Sequence, residues 1–313
     1  MRVKITIQRF NPESDVKPHF RDYTVEAGRE TTVLLALLKI KSDIDGSLTF
    51  RASCRAAICG SCQMLVNGVQ KLACNTSVLE ELDRHGALVI SPMTNMPVIK
   101  DMVVDMAPFW EKIKQVKPYV VTHNQDQPVP TAGLKTIHDD LHHADACIMC
   151  GACLSACNSF EVSPQFLGPA ALAKAYRIMV DPRDEIGAKR MTSFQEENGI
   201  WDCVRCVYCV QVCPKEVEPM EQIVRLRRMS IESGMDASIG ARHITQFVKV
   251  VGEEGRLNES RLPLYILRNK IRKLIDMLPI AIKMFFRGKA PKPFVETHPG
   301  HQDVVAIYKT RQK

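Results

Sequence analysis

The twelve cysteines of this 313-residue chain divide into three groups of four, with none left over. The first group is Cys54, Cys59, Cys62 and Cys74, in the stretch CRAAICGSCQMLVNGVQKLAC, with four, two and eleven residues between successive members. The second is Cys147, Cys150, Cys153 and Cys157, and the third is Cys203, Cys206, Cys209 and Cys213, each spaced two, two and three. Thiols in such number and regularity fix what the chain must fold around.

A four-then-two spacing with a distant fourth thiolate holds a [2Fe–2S] cluster in plant-type ferredoxins, and runs spaced two, two and three hold [4Fe–4S] clusters in bacterial ones. The chain is therefore expected to carry one [2Fe–2S] and two [4Fe–4S] clusters, which together read as an electron wire. In two-cluster ferredoxins the fourth cysteine of each run ligates the other cluster. On that logic Cys147, Cys150, Cys153 and Cys213 hold a middle [4Fe–4S] cluster, and Cys157, Cys203, Cys206 and Cys209 hold a distal one. The competing reading is a zinc-stapled module without redox activity. Zinc knuckles use paired two-residue spacings, which the gap between Cys54 and Cys59 breaks.

The length suits about two domains, and no run of 18 or more apolar residues is present to span a bilayer as a helix. The opening stretch MRVKITIQRF alternates like a strand and lacks an apolar signal-peptide core. With so many free thiols, a reducing compartment is expected. The net charge of +7 forms no concentrated basic stripe, so nucleic acid is not an expected partner.

Residues 3–8 and 20–25 alternate as two strands, and Thr32 precedes an apolar run, 33–38, that reads as a short helix. Residues 63–66 and 69–72 flank Asn67-Gly68, the signal for a two-residue type I′ hairpin turn. If Val66 pairs with Val69, Cys62 faces Ala73 and Cys74 returns beside Cys62. Gly60 lets backbone amides approach the sulfurs closely. A β-grasp ferredoxin domain over residues 1–100 follows from this order. From Asp101 the pattern turns helical: residues 102–114 form an amphipathic helix and 119–133 a polar connector. The expected fold class is α+β, with a mostly helical two-cluster domain over 101–235 and a helical extension over 236–313.

The chain resembles the iron–sulfur subunit of succinate dehydrogenases and fumarate reductases. The resemblance rests on the first cysteine stretch together with ISPMTNMPVIKDMVVDM, CIMCGACLSACNSF, FLGPAALAKAYR and CVRCVYCVQVCPKEVEP, and covers roughly residues 1–235. It implies an FAD-containing flavoprotein partner that interconverts succinate and fumarate, with this chain carrying electrons to a quinone-binding or other membrane-side subunit. The family pattern has a non-cysteine at the position of Cys206 and a [3Fe–4S] distal cluster, so Cys206 implies a distal [4Fe–4S] cluster here. Where ubiquinone-reducing relatives place a tryptophan and a histidine, this chain has Glu161-Val162 and Val204-Arg205, and Asn158 stands where a proline is usual. The segment GARHITQFVKVVGEEGRLNES is similar to the tail of the two-cluster subunit of heterodisulfide reductases. The combination resembles the unconventional succinate dehydrogenase type with a cysteine-rich membrane-side subunit. The alternative roles are in a thiol-driven fumarate reductase, a heterodisulfide-reductase-like complex or a glycolate-oxidase-like complex.

Residues 264–287 mix apolar positions with Arg268, Lys270, Arg272, Lys273, Lys283 and Arg287, a basic amphipathic helix that Pro279 is expected to kink or divide. Docking against protein is the favoured use of it, and peripheral association with an anionic membrane the other. His138, His142 and His143 are read as surface residues, and Arg225, Arg227 and Arg228 as a solvated helix face. No Gly-x-Gly-x-x-Gly fingerprint or nucleophile triad is present, so catalysis is expected on a partner. The expected location is the cytoplasmic face of the inner membrane, within a complex, or else export with a signal-bearing partner.

Overall fold

The computed structural model describes residues 1–122, 141, 143–268, 271–291 and 299–311. His138, His142, Lys270 and most of the expected connector lie outside the described residues. Packing divides the chain into two units, Met1–Leu226 and Arg227–Lys313.

The first unit opens with β1 (Arg2–Arg9) and β2 (His19–Glu26), paired antiparallel with Val3 opposite Val25 and Gln8 opposite Phe20. Alternation sends Val3, Ile5 and Ile7 into the core, because successive strand residues face opposite sides of the sheet. Helix α1 (Val33–Asp43) starts where Thr32 Oγ1 accepts from the Leu35 amide at 3.2 Å. It runs five residues beyond the expected end. Ile40 is a fully buried core residue, and Lys41 donates to the carbonyls of Gly46 and Leu48 at 3.1 and 2.6 Å.

The hairpin of β3 (Gln63–Val66) and β4 (Val69–Leu72) has Val66 opposite Val69. Asn67 and Gly68 take φ of 50° and 78°, the pair of positive values a type I′ turn requires. The Ala73 amide donates to the Cys62 carbonyl at 3.1 Å, which brings Cys74 back beside Cys62 as the pairing argument anticipates. Helix α2 (Val78–His85) and β5 (Val89–Ser91) complete a five-stranded sheet of order β2-β1-β5-β3-β4, in which β1 and β5 are parallel. This is the β-grasp arrangement, with α1 covering one face.

The expected helix over 102–114 starts late. Residues before it form a small hairpin, β6 (Val98–Lys100) with β7 (Val103–Val104), turned at Asp101 with φ of 45°. Only after the Asp105 carboxylate accepts from the Ala107 amide at 2.8 Å, with Pro108 in the first turn, does helix α3 (Ala107–Gln115) begin. The core of the remaining first unit is helical: α4 (Ala152–Ser155), α5 (Asn158–Val162), α6 (Pro169–Met179), α7 (Gly187–Phe194) and α8 (Tyr208–Gln211). Phe160, Phe166, Leu172, Met191 and Phe194 are buried among them.

Helix α9 (Pro219–Glu232) crosses the division between the units. On it Arg228 is exposed but Arg227 is buried and Arg225 half-buried, so the three arginines do not form the expected solvated face. Ile223 and Leu226 are almost wholly buried, and the charged residue next to Leu226 in the same turn follows it inside. His143 is exposed, as expected. In the second unit α10 (Ile239–Glu254), capped by Ser238, packs on α11 (Arg261–Leu267) through Leu262, Ile266 and Leu267. It also packs on α13 (His301–Arg311), with Gly252 against the Tyr308 ring. Between them in sequence, α12 runs unbroken over Ile271–Phe286 with Pro279 inside. The preceding helix α11 ends at Leu267, inside the expected amphipathic segment. A proline removes only one amide hydrogen bond from the ladder, and α12 continues past it.

One polar cluster stands out in the β-grasp core. Arg9 occupies a core-facing position of β1 and is 7% exposed. Its guanidinium donates to Asp101 at 2.9 Å, Asp45 at 2.6 Å and Ser47 at 2.9 Å, while Asp101 also accepts from the amides of Phe10 and Thr49 at 3.0 and 2.8 Å. This fixes the segment that leads into Cys54. Removing one partner of such a buried pair costs about 3–5 kcal/mol. Asp101→Asn is expected to lower the unfolding free energy by an amount in that range, read as a lower urea midpoint for loss of visible cluster absorbance on the cluster-loaded chain.

Candidate metal centres

The loop from Cys54 to Cys62 is built to point amides at sulfur. Arg55, Ala57 and Gly60 all take positive φ, and such alternation makes a concavity of backbone N–H groups suited to an anionic centre. Cys54 Sγ accepts from the amides of Ala56, Ile58 and Cys59 at 3.4, 3.4 and 3.3 Å. Cys74 Sγ accepts from the Ala57 amide at 3.3 Å, and Cys59 Sγ lies 3.1 Å from the Ser61 hydroxyl. That hydroxyl and the loop amides pull the Cys59 thiol down to about 6, whereas burial and the neighbouring Cys74 push Cys62 up to about 12. The thiols thus form two close pairs, Cys54 with Cys59 and Cys62 with Cys74. Cys54 and Cys59 are exposed and Cys62 is buried.

The two later runs fold alike. A 3₁₀ turn, Ala144–Ala146 or Ile200–Asp202, precedes each. Met149 and Gly151 in one, and Arg205 and Val207 in the other, take positive φ at matching positions. A one-turn helix follows, and the last cysteine turns back with its amide on the carbonyl of Leu154 or Val210.

The repeat exchanges its last members. Cys147, Cys150, Cys153 and Cys213 line one cavity, closed by Phe109, Ala173 and other apolar side chains. Burial pushes Cys150 up to about 11, with Cys147 and Cys213 adding to the shift. Cys153 is pushed well above the usual thiol range by burial and by the thiols around it. Cys157 instead faces Cys203 and Cys206, and Cys209 faces Cys203, Cys157 and Cys206, with burial raising these two to about 11 and about 12. Amides oppose that rise at Cys157, where Phe160 donates at 3.4 Å. The Val217 amide donates to Cys213 at 3.4 Å. The distal set is flanked by the exposed apolar side chains of Val162, Val204, Val207 and Tyr208.

These donor sets fit iron–sulfur clusters: four thiols each, amides on sulfur, and no carboxylate or imidazole among them. Among the described residues no three His, Cys, Asp or Glu side chains converge closely enough for a single metal ion. Buried thiols resist ionisation, and the positive charge of bound iron supplies the missing compensation.

Residues 4–111 match the family described as "2Fe-2S iron-sulfur cluster binding domain", and residues 143–217 match the "4Fe-4S dicluster domain". Over 246 residues the chain is 38% identical to the fumarate reductase iron–sulfur subunit of Haemophilus influenzae, covering 75% of this chain and 94% of that one. It belongs to the fumarate reductase and succinate dehydrogenase iron–sulfur subunit family. Fumarate reductase iron–sulfur subunits of Escherichia coli, at 38% over 75% of this chain and 94% of the relative, and Mycobacterium tuberculosis, at 39% over 72% and 92%, agree. The fold is that of a chain in the Mycobacterium smegmatis Sdh1 complex in the apo form, with TM-score 0.67 and 23% identity over 74% of this chain and 96% of that one. As a member of the family, the chain binds iron–sulfur clusters in a [2Fe–2S] domain and a two-cluster domain. About a quarter of it extends beyond what the first of these relatives matches.

Some positioning residues carry no motif of their own. Asn95, at φ of 62°, donates to the carbonyls of Leu154, Ser155 and Cys157 at 3.0 to 3.1 Å. The Thr94 amide donates to the Ser155 hydroxyl at 2.8 Å and the Thr94 hydroxyl to the Ser155 carbonyl at 2.7 Å, and Gln70 donates to the Ser155 hydroxyl. Together they tie the β-grasp sheet to the loop holding Cys153 and Cys157. Gly60 touches that region too. A Cβ there would lie 2.7 Å from Cys150 Cβ and 3.2 Å from the Ile148 carbonyl, so the first thiol loop rests directly on the second. Gly60→Ala adds a left-handed penalty of about 1–2 kcal/mol to an overpacking cost of about 1–3 kcal/mol. It is expected to lower iron per chain and to shift thermal loss of cluster absorbance down by several degrees, checked by iron analysis and melting in the visible.

Proposed function

We propose that this chain is the electron-transfer subunit of a succinate dehydrogenase or fumarate reductase complex. The dicarboxylate chemistry would occur on an FAD-containing flavoprotein, and the acceptor or donor at the other end would be a membrane-side subunit. Cys54, Cys59, Cys62 and Cys74 would hold a [2Fe–2S] cluster. Cys147, Cys150, Cys153 and Cys213 would hold the middle [4Fe–4S] cluster, and Cys157, Cys203, Cys206 and Cys209 the distal one. Bound there, the clusters supply one-electron carriage. The chain's own residues supply the thiolates, the amide concavities that stabilise negative charge on sulfur, the apolar walls that exclude water, and the contacts that fix the sets relative to one another. Regions 1–100, 101–235 and 236–313 would serve the first cluster, the later two, and docking.

The observation that carries the distal assignment is that Cys206 stands with Cys157, Cys203 and Cys209, each with thiol neighbours in the same set. A fourth thiol there supplies the ligand that a [3Fe–4S] site lacks. The exposed Val162, Val204, Val207 and Tyr208 beside this set would form the docking rim for the membrane-side partner. With Glu161 and Arg205 exposed in the regions where ubiquinone-reducing relatives carry tryptophan and histidine, a cysteine-rich partner fits this rim better than a haem-bearing quinone anchor. The cytoplasmic face of the inner membrane is the location that suits such a subunit.

Cys206→Ser is expected to lower iron by one atom per chain and to bring up the electron paramagnetic resonance signal of an oxidised [3Fe–4S] cluster, while the other two clusters keep their signals. A [3Fe–4S] signal already present in intact, unoxidised wild-type protein would remove the assignment. The native complex, purified from its source, is expected to contain a flavoprotein and to interconvert succinate and fumarate. Fumarate reduction driven only by thiols would move the chain to the thiol-driven type.

A further inference from the structure

Helix α12, Ile271–Phe286, has no buried residue along its length. Ile271 is 70% exposed, Ile280 63%, Phe285 71% and Phe286 82%. A helix that docks on its own domain buries a stripe, as α11 does with Leu262 and Ile266. Here only Leu274 makes partial contact with that cluster.

The distribution of side chains around α12 selects among the surfaces that would cover it. At about 100° per residue, Arg272, Asp276, Lys283 and Arg287 gather on one narrow arc with Lys273 at its margin. Ile271, Leu274, Ile275, Leu278, Ile282 and Phe285 occupy the opposite side, and Met277, Met284 and Phe286 widen it to an arc of roughly 200°, with Ile280 the one apolar side chain on the charged side. A helix held by one protein neighbour presents a stripe of about 100° or somewhat more. Partial immersion in a lipid interface instead wets more than half of the cylinder. The charge agrees: Arg272, Lys273, Lys283, Arg287 and Lys289 face a single acid, Asp276. At 16 residues the helix is shorter than the roughly 20 needed to span a bilayer, and none of the described helices is long and apolar enough to cross one.

We infer that α12 is an interfacial helix that lays its apolar arc into an anionic lipid bilayer surface, with its basic residues among the headgroups. The chain then contacts the membrane itself, apart from any membrane-side subunit. Phe285 and Phe286, packed edge to face at 5.9 Å, anchor one end, and the trough between Leu264, Leu274, Met277 and Met284 receives acyl chain. The inference is independent of the electron-transfer reading, because lipid binding is measured without substrate or partner.

The test is flotation of the full-length, cluster-loaded chain with vesicles of phosphatidylcholine alone and of phosphatidylcholine containing phosphatidylglycerol. Binding is expected to the anionic vesicles, weakened at least tenfold by the double substitution Phe285→Ser with Phe286→Ser and by Arg272→Glu with Lys283→Glu. The visible cluster spectrum of both variants is expected to match the wild type, which separates a lost surface from a lost fold. Anionic vesicle binding that the phenylalanine pair leaves intact would mean ionic adsorption and overturn the inference. So would failure to bind any vesicle, with α12 protected from proteolysis only within the native complex, which would identify a protein groove as its cover.

Discussion

Each of the two later cysteine runs finishes on the other: Cys213 lies with Cys147, Cys150 and Cys153, and Cys157 with Cys203 and Cys206. This exchange is the constraint on which the helical part of the first unit depends. It closes the whole segment between the runs into one loop, and closure entropy grows only slowly with loop length, so four-thiol sets at its neck can hold the segment at modest cost. What fills the loop is suited to close approach. Helix α6 buries Ala170, Ala171, Ala173 and Ala175, small side chains that let the two runs stand near one another, while Phe160 and Phe166 fill the ends. Burial raises the Cys150, Cys153, Cys157 and Cys209 thiols, which couples their ionisation to metal binding and to packing.

The first cluster loop is positioned from two directions. From inside the β-grasp core, Arg9 and Asp101 hold the segment that runs into Cys54. From outside, Gly60 rests on Cys150, and Gln70, Thr94 and Asn95 all end on the last turn of α4 or the carbonyls beside it. Single hydrogen bonds of this kind contribute about 0.5–1.5 kcal/mol each, but their convergence on Leu154, Ser155 and Cys157 matters more than their sum. The Leu154 carbonyl already takes the Cys157 amide, and Asn95 gives it a second donor while also supplying the carbonyls of Ser155 and Cys157 at the end of this four-residue helix.

Much of this was legible in the residues. The hairpin over 63–72 could be read to the residue, because Asn-Gly turns and period-two alternation are local signals, and with them the return of Cys74 to Cys62. The exchange of Cys157 and Cys213 followed from the repeat. Where longer-range packing decides, the sequence was silent or misleading. The amphipathic pattern beginning at Met102 concealed a two-strand hairpin, since Met102, Val104 and Phe109 are all buried and satisfy helical and extended periods alike. Arg227 looks solvated in a string of arginines yet is buried. Pro279 reads as a break, but α12 continues through it. Asn95 and Gln70 belong to no ligand motif, and only the placement of α4 shows what they hold.

The repeat is symmetric in backbone and asymmetric in side chain, and the difference falls at one position. Gly151 and Val207 both take left-handed φ, at 83° and 70°. In the first run a Cβ at Gly151 would meet the Met106 methyl at 3.1 Å as well as a left-handed φ, so glycine is favoured there. In the second run a β-branched residue holds a conformation that costs it of order 1–3 kcal/mol. Such strain persists where a side chain is used, and Val207 stands exposed with Val204 and Tyr208 around the distal thiols. The first copy thus carries glycine at this position, and the second carries an exposed valine among exposed apolar neighbours. Cys206 lies in the second run, between Val204 and Val207, so the residue that would complete the distal set and the surface that would receive a partner are parts of the same loop.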